Sequence, residues 1–551
     1  MSLTHWLSKH LWHSSQIFGT ASRLVSKRRV LAQQKVRPCV ECLEERWLMS
    51  STLAVTNSDD LAAERGTLRW AVANAKSGDT ILLTPALQSS GITLTQGELI
   101  LSQPGVTIKS VGKAPTTISG GNLSRIFEVA PGASVTLSNL LITGGNGLAG
   151  NPAGVTRNRG GALLVDPGAA LTISDCTLTG NSIAFGGSDG NPAGGAVYNA
   201  GTLTVIASTV TNNFAIFAGG GLCNIASMTV SNSSLSGNSA SFGGGIFSAG
   251  ITTISDTCVL SDNVAFQSGG GIYTQSDSMT ANGSTLSGNS AKNGGGIYND
   301  STATTTVNAS TLSDNTASTG SGGGIFNSGT LTIRGHSALT GNSANAFGGA
   351  IGNFGIATVN DSTLLRNQGS EGGGVANWDI FGFGILTVSN TQLSQNTATN
   401  VGGAFFNQSG GVAMSNCALS DNVAANNGGG IYTVIGGSFD VSDCTLSHNS
   451  ATSGSGGGIF NTSTMSVGSS NLSDNSAGFA GGGIFNFATL TVSNSTFTGN
   501  SAVLNGGGIY TSNDLGGFVS GITTINGSTF TSNTPDNIFG DDYFGGGNTF
   551  A

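Results

Sequence analysis

The feature that most restricts the fold of this chain is an asparagine that recurs at a nearly constant interval. Fourteen copies are present, the inner ones are 25 to 29 residues apart, and each follows an apolar residue by three positions. A repeat of this length with two fixed sites predicts stacked, similar units rather than one closed globule. The copies are Asn181, Asn213, Asn238, Asn263, Asn289, Asn315, Asn342, Asn367, Asn396, Asn422, Asn449, Asn475, Asn500 and Asn533.

One unit, residues 289–315, shows how each repeat is built. It contains three short β-prone segments: residues 296–299, a Thr- and Val-rich run that ends near Val307, and residues 310–312. Apolar and polar residues alternate within these segments, which is the period of a strand with one buried face. Three strands separated by Gly, Ser and Asn turns predict one coil of a parallel β-helix.

Coils of a parallel β-helix stack at the interstrand spacing of about 4.8 Å, so equivalent residues become neighbours. The recurring asparagines are therefore expected to form a structural ladder from Asn238 to Asn500, each amide donating to one copy and accepting from the next. A β-helix enzyme would use the same ladder, so these asparagines indicate the fold and leave the function open.

Composition agrees with an all-β fold. Glycine accounts for 88 of the 551 residues, charged residues for 9% and hydrophobic residues for 38%. A disordered chain would be richer in charge and poorer in apolar residues. The glycines recur with the repeat, and no phosphate-binding Gly-x-x-x-x-Gly-Lys-Ser/Thr motif is present, so they are interpreted as tight backbone positions.

Charge divides the chain into two parts. Residues 1–50 hold eight Lys or Arg and three Glu, a net charge of +5, whereas residues 51–551 hold 11 basic and 25 acidic residues, a net charge of −14. An acidic body cannot neutralise a phosphate backbone, which argues against nucleic-acid binding. No 18-residue apolar stretch predicts a transmembrane segment, and a C-terminal membrane barrel would need many more alternating strands than follow the repeats.

The basic N-terminal part, residues 1–50, is predicted to be a disordered or loosely helical tail. Its segment 42–50, Cys-Leu-Glu-Glu-Arg-Trp-Leu-Met-Ser, resembles the LEPR-XLL segment of large bacterial surface and secreted proteins, with Glu45 in place of the proline and Met49 in place of a leucine. The resemblance implies a sorting or export role. The residues that match the LEPR-XLL segment are Leu43, Glu44, Arg46, Leu48 and Ser50.

In the same tail, Cys39 and Cys42 lack the second ligand pair that a zinc site needs.

The repeat itself pairs Gly-Gly-Gly-Ile-Phe/Tyr-Asn with Ser-Thr-Leu-Ser-Gly-Asn-Ser-Ala. Over residues 160–540 it resembles the repeat of the chlamydial polymorphic outer-membrane proteins. The resemblance implies a right-handed parallel β-helix and an extracellular or cell-surface location, without implying the autotransporter mechanism. Residues 161–551 are assigned to this repeat β-helix. Residues 51–160 are assigned to the first coils and an N-terminal cap, because residues 66–82 resemble the helix-containing opener of such folds.

A column of aromatic residues follows the Gly-Gly-Gly-Ile motif. If the isoleucine points inward, period two sends the aromatic rings outward, where they could form a platform for sugar rings or for a surface protein. The alternative is that neighbouring turns cover the rings. This candidate binding stripe comprises Phe247, Tyr273, Tyr298, Phe326, Phe406, Tyr432, Phe460, Phe485 and Tyr510.

A second column, five residues before each ladder asparagine, is always small and contains Cys176, Cys258, Cys417 and Cys444. These are expected to be free buried thiols, although Cys417 and Cys444 lie in adjacent coils where a disulfide is geometrically conceivable.

A third column, just before the asparagines, places His448 between Asp421 and Asp474. It is interpreted as a solvated ion-pair column, with a metal or acid–base site as the alternative.

These observations favour a non-catalytic extracellular or cell-surface repeat protein that serves adhesion, surface structure, or glycan or protein binding. The alternative is a polysaccharide lyase or glycoside hydrolase, which needs clustered carboxylates with Arg, Lys or Ca²⁺. Beyond residue 160 the only Lys and Arg residues are Lys292, Arg334 and Arg366, and no ligand set supports Ca²⁺. No catalytic, metal or cofactor residue is therefore predicted. Carboxylates converging in one groove would favour the enzyme instead.

Overall fold

The protein is a right-handed parallel β-solenoid of about 18 turns, which confirms the predicted fold class. Strands dominate the structure, and the described residues include only two short helices, Leu68–Asn74 and Leu87–Ser90. The structure is a computed structural model, and it describes residues 50–147, 159–183, 191–378, 384–512, 521–540 and 543–551.

The first helix covers the open end of the first coils. Thr67 caps it, with its side-chain oxygen accepting a hydrogen bond from the backbone N–H of Trp70 at 3.2 Å. Leu68 and Ala71 are buried and join the solenoid core. A capping helix starting near Thr67 is thus confirmed, because a polar cap followed by buried apolar residues at helical spacing favours this structure.

Each regular coil contains four strands rather than the predicted three. In one coil they are Ser290–Ala291, Ile297–Asn299, Thr304–Asn308 and Thr311–Ser313. The prediction missed the first strand because it is two residues long and lacks the β-branched and aromatic residues that mark strands. We call the four resulting sheets the short, aromatic, long and leucine sheets, in that order along the coil.

Equivalent strands of successive coils pair in parallel, so one residue type forms a column along each sheet. Leu312, for example, pairs with Leu286 on one side and with Leu339 on the other. Within the described residues the sheets contain 13, 17, 19 and 18 strands. In the same order they run from Ser182–Ile183 to Ser501–Ala502, from Leu99–Leu101 to Ile538–Phe539, from Thr52–Val55 to Tyr543–Phe544, and from Ile92–Thr93 to Thr549–Phe550.

Three of these sheets send apolar columns into one continuous core. Ile297 of the aromatic sheet, Val307 of the long sheet and Leu312 of the leucine sheet are all completely buried in the same cluster. Because every coil supplies equivalent residues, the core extends along the solenoid and each coil is stabilised mainly by its two neighbours.

The predicted asparagine ladder is present. Asn315 is completely buried, and its Nδ2 donates to Asn342 Oδ1 of the next coil at 2.9 Å and to the Leu286 carbonyl of the preceding coil at 2.9 Å. The same pattern joins Asn181 to Asn533 through every copy between them. These amides satisfy buried turn backbone, so their role is structural.

A second, shorter asparagine ladder was not predicted. It is formed by the last residue of five consecutive aromatic-sheet strands, with Nδ2 to Oδ1 distances of 2.7 to 2.9 Å. This run stops at Asn407, whose Nδ2 finds no hydrogen-bond partner among the described residues, because Thr433 occupies the next position. The sequence signal was the asparagine that ends Gly-Gly-Gly-Ile-Phe/Tyr-Asn. The run comprises Asn299, Asn327, Asn353, Asn377 and Asn407.

The glycine run between the short and aromatic sheets serves two different backbone requirements. Gly322 has a φ of 68°, in the left-handed region that favours glycine. At Gly323 a Cβ atom would lie 2.4 Å from the Ser343 carbonyl oxygen of the next coil. The run therefore lets the chain turn sharply where adjacent coils approach most closely.

Candidate binding surface

The aromatic column lies on the outer side of the aromatic sheet, outside the central core. Its rings stack on one another in register: the ring centroids of Tyr273 and Tyr298 are 4.9 Å apart, and those of Phe460 and Phe485 are 5.0 Å apart, with interplanar angles of 3° and 2°. Isoleucines of the same strands, such as Ile297, point into the core as expected. The outward direction predicted for the aromatic rings is thus confirmed.

Stacking leaves little of most rings open to solvent. Phe406, Phe460 and Phe485 are between 3% and 6% exposed. Phe247 and Tyr273 are 7% and 9% exposed. The other four residues of the candidate stripe are half-buried: Tyr298, Phe326, Tyr432 and Tyr510. The column therefore contributes packing along its whole length, and ligand access depends on the places where grooves open beside it.

Two small residues, Gly352 and Ala376, interrupt the column, and rings from neighbouring positions fill the gap. Phe354 stacks on Phe326 at 4.9 Å, and the Phe347 and Trp378 centroids are 4.1 Å apart. Sequence analysis missed these rings because they stand outside the repeating positions.

A groove of about 650 Å³, which we call the Glu371 groove, opens next to this interruption. Its walls combine the rings of Trp378, Phe406 and Tyr432 with polar side chains. Aromatic walls with a few convergent polar groups are typical of small-ligand sites. The polar residues that line it include Glu371, Asn400, Gln408, Asn426, Asn427 and Ser453.

Hydrogen bonds order these polar groups across four coils. Ser453 Oγ donates to Asn426 Oδ1 at 3.3 Å, Asn426 Nδ2 to Asn400 Oδ1 at 2.9 Å, and Asn400 Nδ2 to Glu371 Oε1 at 3.4 Å. The last contact is long, so the Glu371 carboxylate keeps most of its accepting capacity. Burial raises the pKa of Glu371 above its usual value, and the Asn400 hydrogen bond opposes this shift.

A second groove, of about 640 Å³, lies on the other side of Tyr432. Its walls include the rings of Phe460 and Phe487 and the exposed Ile435. Thr462, Thr464 and Thr489 supply hydroxyl groups. Since Tyr432 lines both grooves, they form one surface over several coils. We call this surface the two-groove surface.

The column before the ladder asparagines lies on a turn, and we call it the turn column. Asp421, His448 and Asp474 all have φ between 55° and 57°, and His448 Nε2 lies 3.9 Å from Asp474 Oδ2 with both side chains more than half exposed. This geometry agrees with the solvated ion-pair interpretation.

Three aspartates of the turn column are followed by a glycine in the next coil, and this pairing has a steric cause. Asp314 Oδ1 leans over Gly341 of the next coil, where a Cβ atom would lie 2.5 Å from it. Asp262 and Asp474 are likewise followed by Gly288 and Gly499, whereas Asp421 is followed by His448.

Carboxylates converge near the N-terminal end of the described solenoid. Convergence of carboxylates in one groove was the observation expected to favour an enzyme. Arg125 Nη1 lies 2.6 Å from Glu98 Oε2 and 3.3 Å from Glu128 Oε2. Burial raises the pKa of Glu128, and the nearby charges of Glu98 and Asp166 raise it further. Because Arg125 is completely buried and Glu98 is 5% exposed, the cluster is interpreted as an internal ion cluster rather than an open catalytic groove.

The five cysteines in the described part of the chain are all buried and free, which confirms the expectation for Cys417 and Cys444. The backbone N–H of Cys417 donates to Cys444 Sγ at 3.3 Å, where other coils use a serine hydroxyl. Burial raises the pKa of Cys176 to about 11 and that of Cys223 to about 12, so these thiols stay protonated at neutral pH.

Among the described residues no group of three or more His, Cys, Asp or Glu is placed to hold a metal ion. In that same part of the chain, no helix has the length and apolar character needed to cross a membrane. The predicted export motif and the Cys39–Cys42 pair lie outside the described residues, apart from the exposed Ser50.

Comparison with known families agrees with the coil geometry. The sequence model of the Chlamydia polymorphic membrane protein repeat matches residues 283–300 and 494–512. The repeats of this chain are therefore similar to the Chlamydia polymorphic membrane protein repeat. Each matched segment begins two residues before a leucine-sheet strand and ends one residue after the next aromatic-sheet strand. It therefore includes the ladder asparagine and the glycine run. No curated protein matches the chain.

The polymorphic membrane protein repeat indicates a surface-exposed bacterial protein built on a β-helix. Proteins with this repeat are generally not enzymes. The similarity thus points to a bacterial surface protein, and any ligand must be inferred from the two-groove surface.

Proposed function

We propose that the protein is a non-catalytic adhesion protein of the bacterial surface, and that the two-groove surface binds an extended extracellular glycan. The observation that carries the proposal is that Tyr432 lines both grooves, so a chain-like ligand can cross from one to the other along a row of rings. Pyranose rings present C–H faces that pack on aromatic side chains, and amides and hydroxyls satisfy the sugar hydroxyls.

Size and polarity support a glycan over a flat protein partner. Both grooves lie within the 300–1,000 Å³ range typical of small-ligand sites. Their walls alternate rings with Asn, Gln, Ser and Thr side chains and hold one carboxylate. Glu371 is the single carboxylate among the described residues that line the two grooves, so those residues do not supply the paired carboxylates that glycan cleavage requires.

The test is a glycan-array screen of the full-length chain beside two matched variants. Tyr432→Ala removes the ring that the grooves share. Tyr510→Ala removes a ring of the same column, likewise half-buried between two stacked neighbours, at which neither groove opens. We expect binding to at least one glycan class, lost in Tyr432→Ala and kept in Tyr510→Ala.

Retention on no glycan at all would contradict the proposal, as would equal binding by both variants. Release of reducing sugar from a bound glycan would contradict the non-catalytic assignment.

A further inference from the structure

We propose that the Glu371 groove is a subsite for an amino sugar, with its protonated amine on the Glu371 carboxylate and its ring against Trp378 and Tyr432. This proposal rests on the proposed glycan-binding function and adds that one sugar unit of that glycan carries a positive charge. It follows from how this pair of coils departs from the rest of the solenoid.

The first departure is the identity of residue 371. It belongs to the column that immediately precedes the left-handed glycines, and among the described coils Glu371 is its only acidic member. Phe242 occupies the equivalent position in an earlier pair of coils that share the same register shift, and there it packs edge-on against Tyr273 at 5.4 Å. A carboxylate thus stands at a position where two other coils place the rings of Phe242 and Phe347.

The second departure is the space around this carboxylate. Gly352 and Ala376 interrupt the column, and the rings of Phe347, Phe354 and Trp378 pack at the interruption. Trp378 also lines the groove, where Phe406 and Tyr432 supply the other rings and Glu371 is half-buried.

The third observation is the lack of a cation. No Lys, Arg or His is among the described residues that line the groove, and the hydrogen bond from Asn400 at 3.4 Å is the polar contact that Glu371 receives from another side chain there. A half-buried carboxylate without a cationic partner favours a positively charged ligand. Aromatic faces beside it add cation–π attraction for the same charge.

These features also exclude the opposite class of sugar. A uronic or sulfated residue would place a second negative charge next to Glu371 in an acidic protein, which costs binding energy. Among glycans, the recess therefore favours protonated amino sugars over acetylated ones, and acetylated ones over acidic ones.

The test is isothermal titration calorimetry of the full-length chain with three probes: a chitosan hexamer, its fully N-acetylated counterpart, and a hexamer of galacturonic acid. Glu371→Gln keeps the size and hydrogen-bonding capacity of the side chain and removes its charge. Asp314→Asn removes an exposed charge several coils away and serves as the matched control. Thermal melting followed by circular dichroism confirms that both variants fold.

We expect the wild-type chain to bind the chitosan hexamer most tightly. Glu371→Gln should weaken that binding about tenfold and abolish the preference over the acetylated hexamer, whereas Asp314→Asn should change neither. Unchanged chitosan binding in Glu371→Gln, or galacturonate bound as tightly as chitosan, would overturn the amino-sugar assignment while leaving glycan binding intact. Failure of every oligosaccharide to bind, on the array as well, would overturn the proposed function and this inference together.

Discussion

Asn342 lies one coil beyond Asn315, and its Oδ1 accepts hydrogen bonds from both the backbone N–H and the Nδ2 of Asn315, at 3.1 and 2.9 Å. Its own Nδ2 donates to Asn367 Oδ1 and to the Leu312 carbonyl. All of these groups are shielded from water. One side chain therefore satisfies buried polar groups of three successive coils, which explains why the asparagine recurs in every repeat.

Replacing this residue should destabilise the solenoid locally. Asn342→Ala removes the acceptor shared by the backbone N–H and Nδ2 of Asn315, and the Nδ2 donor to the Leu312 carbonyl and Asn367 Oδ1. We expect a loss of about 3 kcal/mol in the free energy of unfolding. Asn471→Ala is the matched control, because Asn471 lies exposed in a leucine-sheet strand. Hydrogen exchange of amides near residues 315–367 measures the local effect, and equal protection in both variants would refute the ladder's energetic role.

The close approach of coils at the glycine run gives a second prediction. Gly323→Ala places a methyl group 2.4 to 2.5 Å from backbone atoms of Ser343 and Gly349, and we expect a loss of roughly 3 kcal/mol or more. Gly411→Ala, whose new methyl would meet only Ser438 Oγ at 3.8 Å, should stay within about 0.5 kcal/mol of the wild type. Urea unfolding of the two variants distinguishes them, and comparable midpoints would contradict the steric argument.

The buried thiols should be unreactive in the folded protein. Both burial and the raised pKa values of Cys176 and Cys223 suppress the thiolate that alkylating agents attack. In a variant with Cys39 and Cys42 changed to Ser, we expect no iodoacetamide labelling of the native chain. Denaturant without reductant should expose five thiols by mass spectrometry. Labelling of only three would show that two cysteines form a disulfide.

Glu371 should lower stability at neutral pH. Burial raises its folded-state pKa, so the folded protein binds the proton more tightly than the unfolded chain does, and this contribution to stability is lost as pH rises through the folded-state pKa. Glu371→Gln is therefore expected to melt at a higher temperature than the wild type at pH 7. Below the unfolded-state value the difference should disappear. A lower melting temperature for Glu371→Gln at pH 7 would contradict this linkage.

The sequence predicts the repeating parts of this molecule well because equivalent residues recur in successive coils. The ladder asparagines, the inward leucines and the outward rings recur at fixed spacing, so one register explains all copies. The short strand Ser290–Ala291 escaped prediction because Ser and Ala carry little strand propensity, and it is held in place by pairing with the coils on both sides.

Features that occur once were harder to predict. Trp378 belongs to no repeated motif, and Phe347 and Glu371 occupy a column whose residue type changes from coil to coil. Gly352 and Ala376 interrupt the stripe, and in the fold the rings of Phe347, Phe354 and Trp378 pack there, with Trp378 also lining the Glu371 groove.

The most direct measurement is a crystal structure of the full-length chain soaked with the chitosan hexamer. The account predicts density for a sugar ring packed on Trp378 and Tyr432, with its amine within hydrogen-bonding distance of a Glu371 carboxylate oxygen and the chain continuing toward Ile435. An empty recess at a saturating concentration, or density confined to another face of the solenoid, would contradict it.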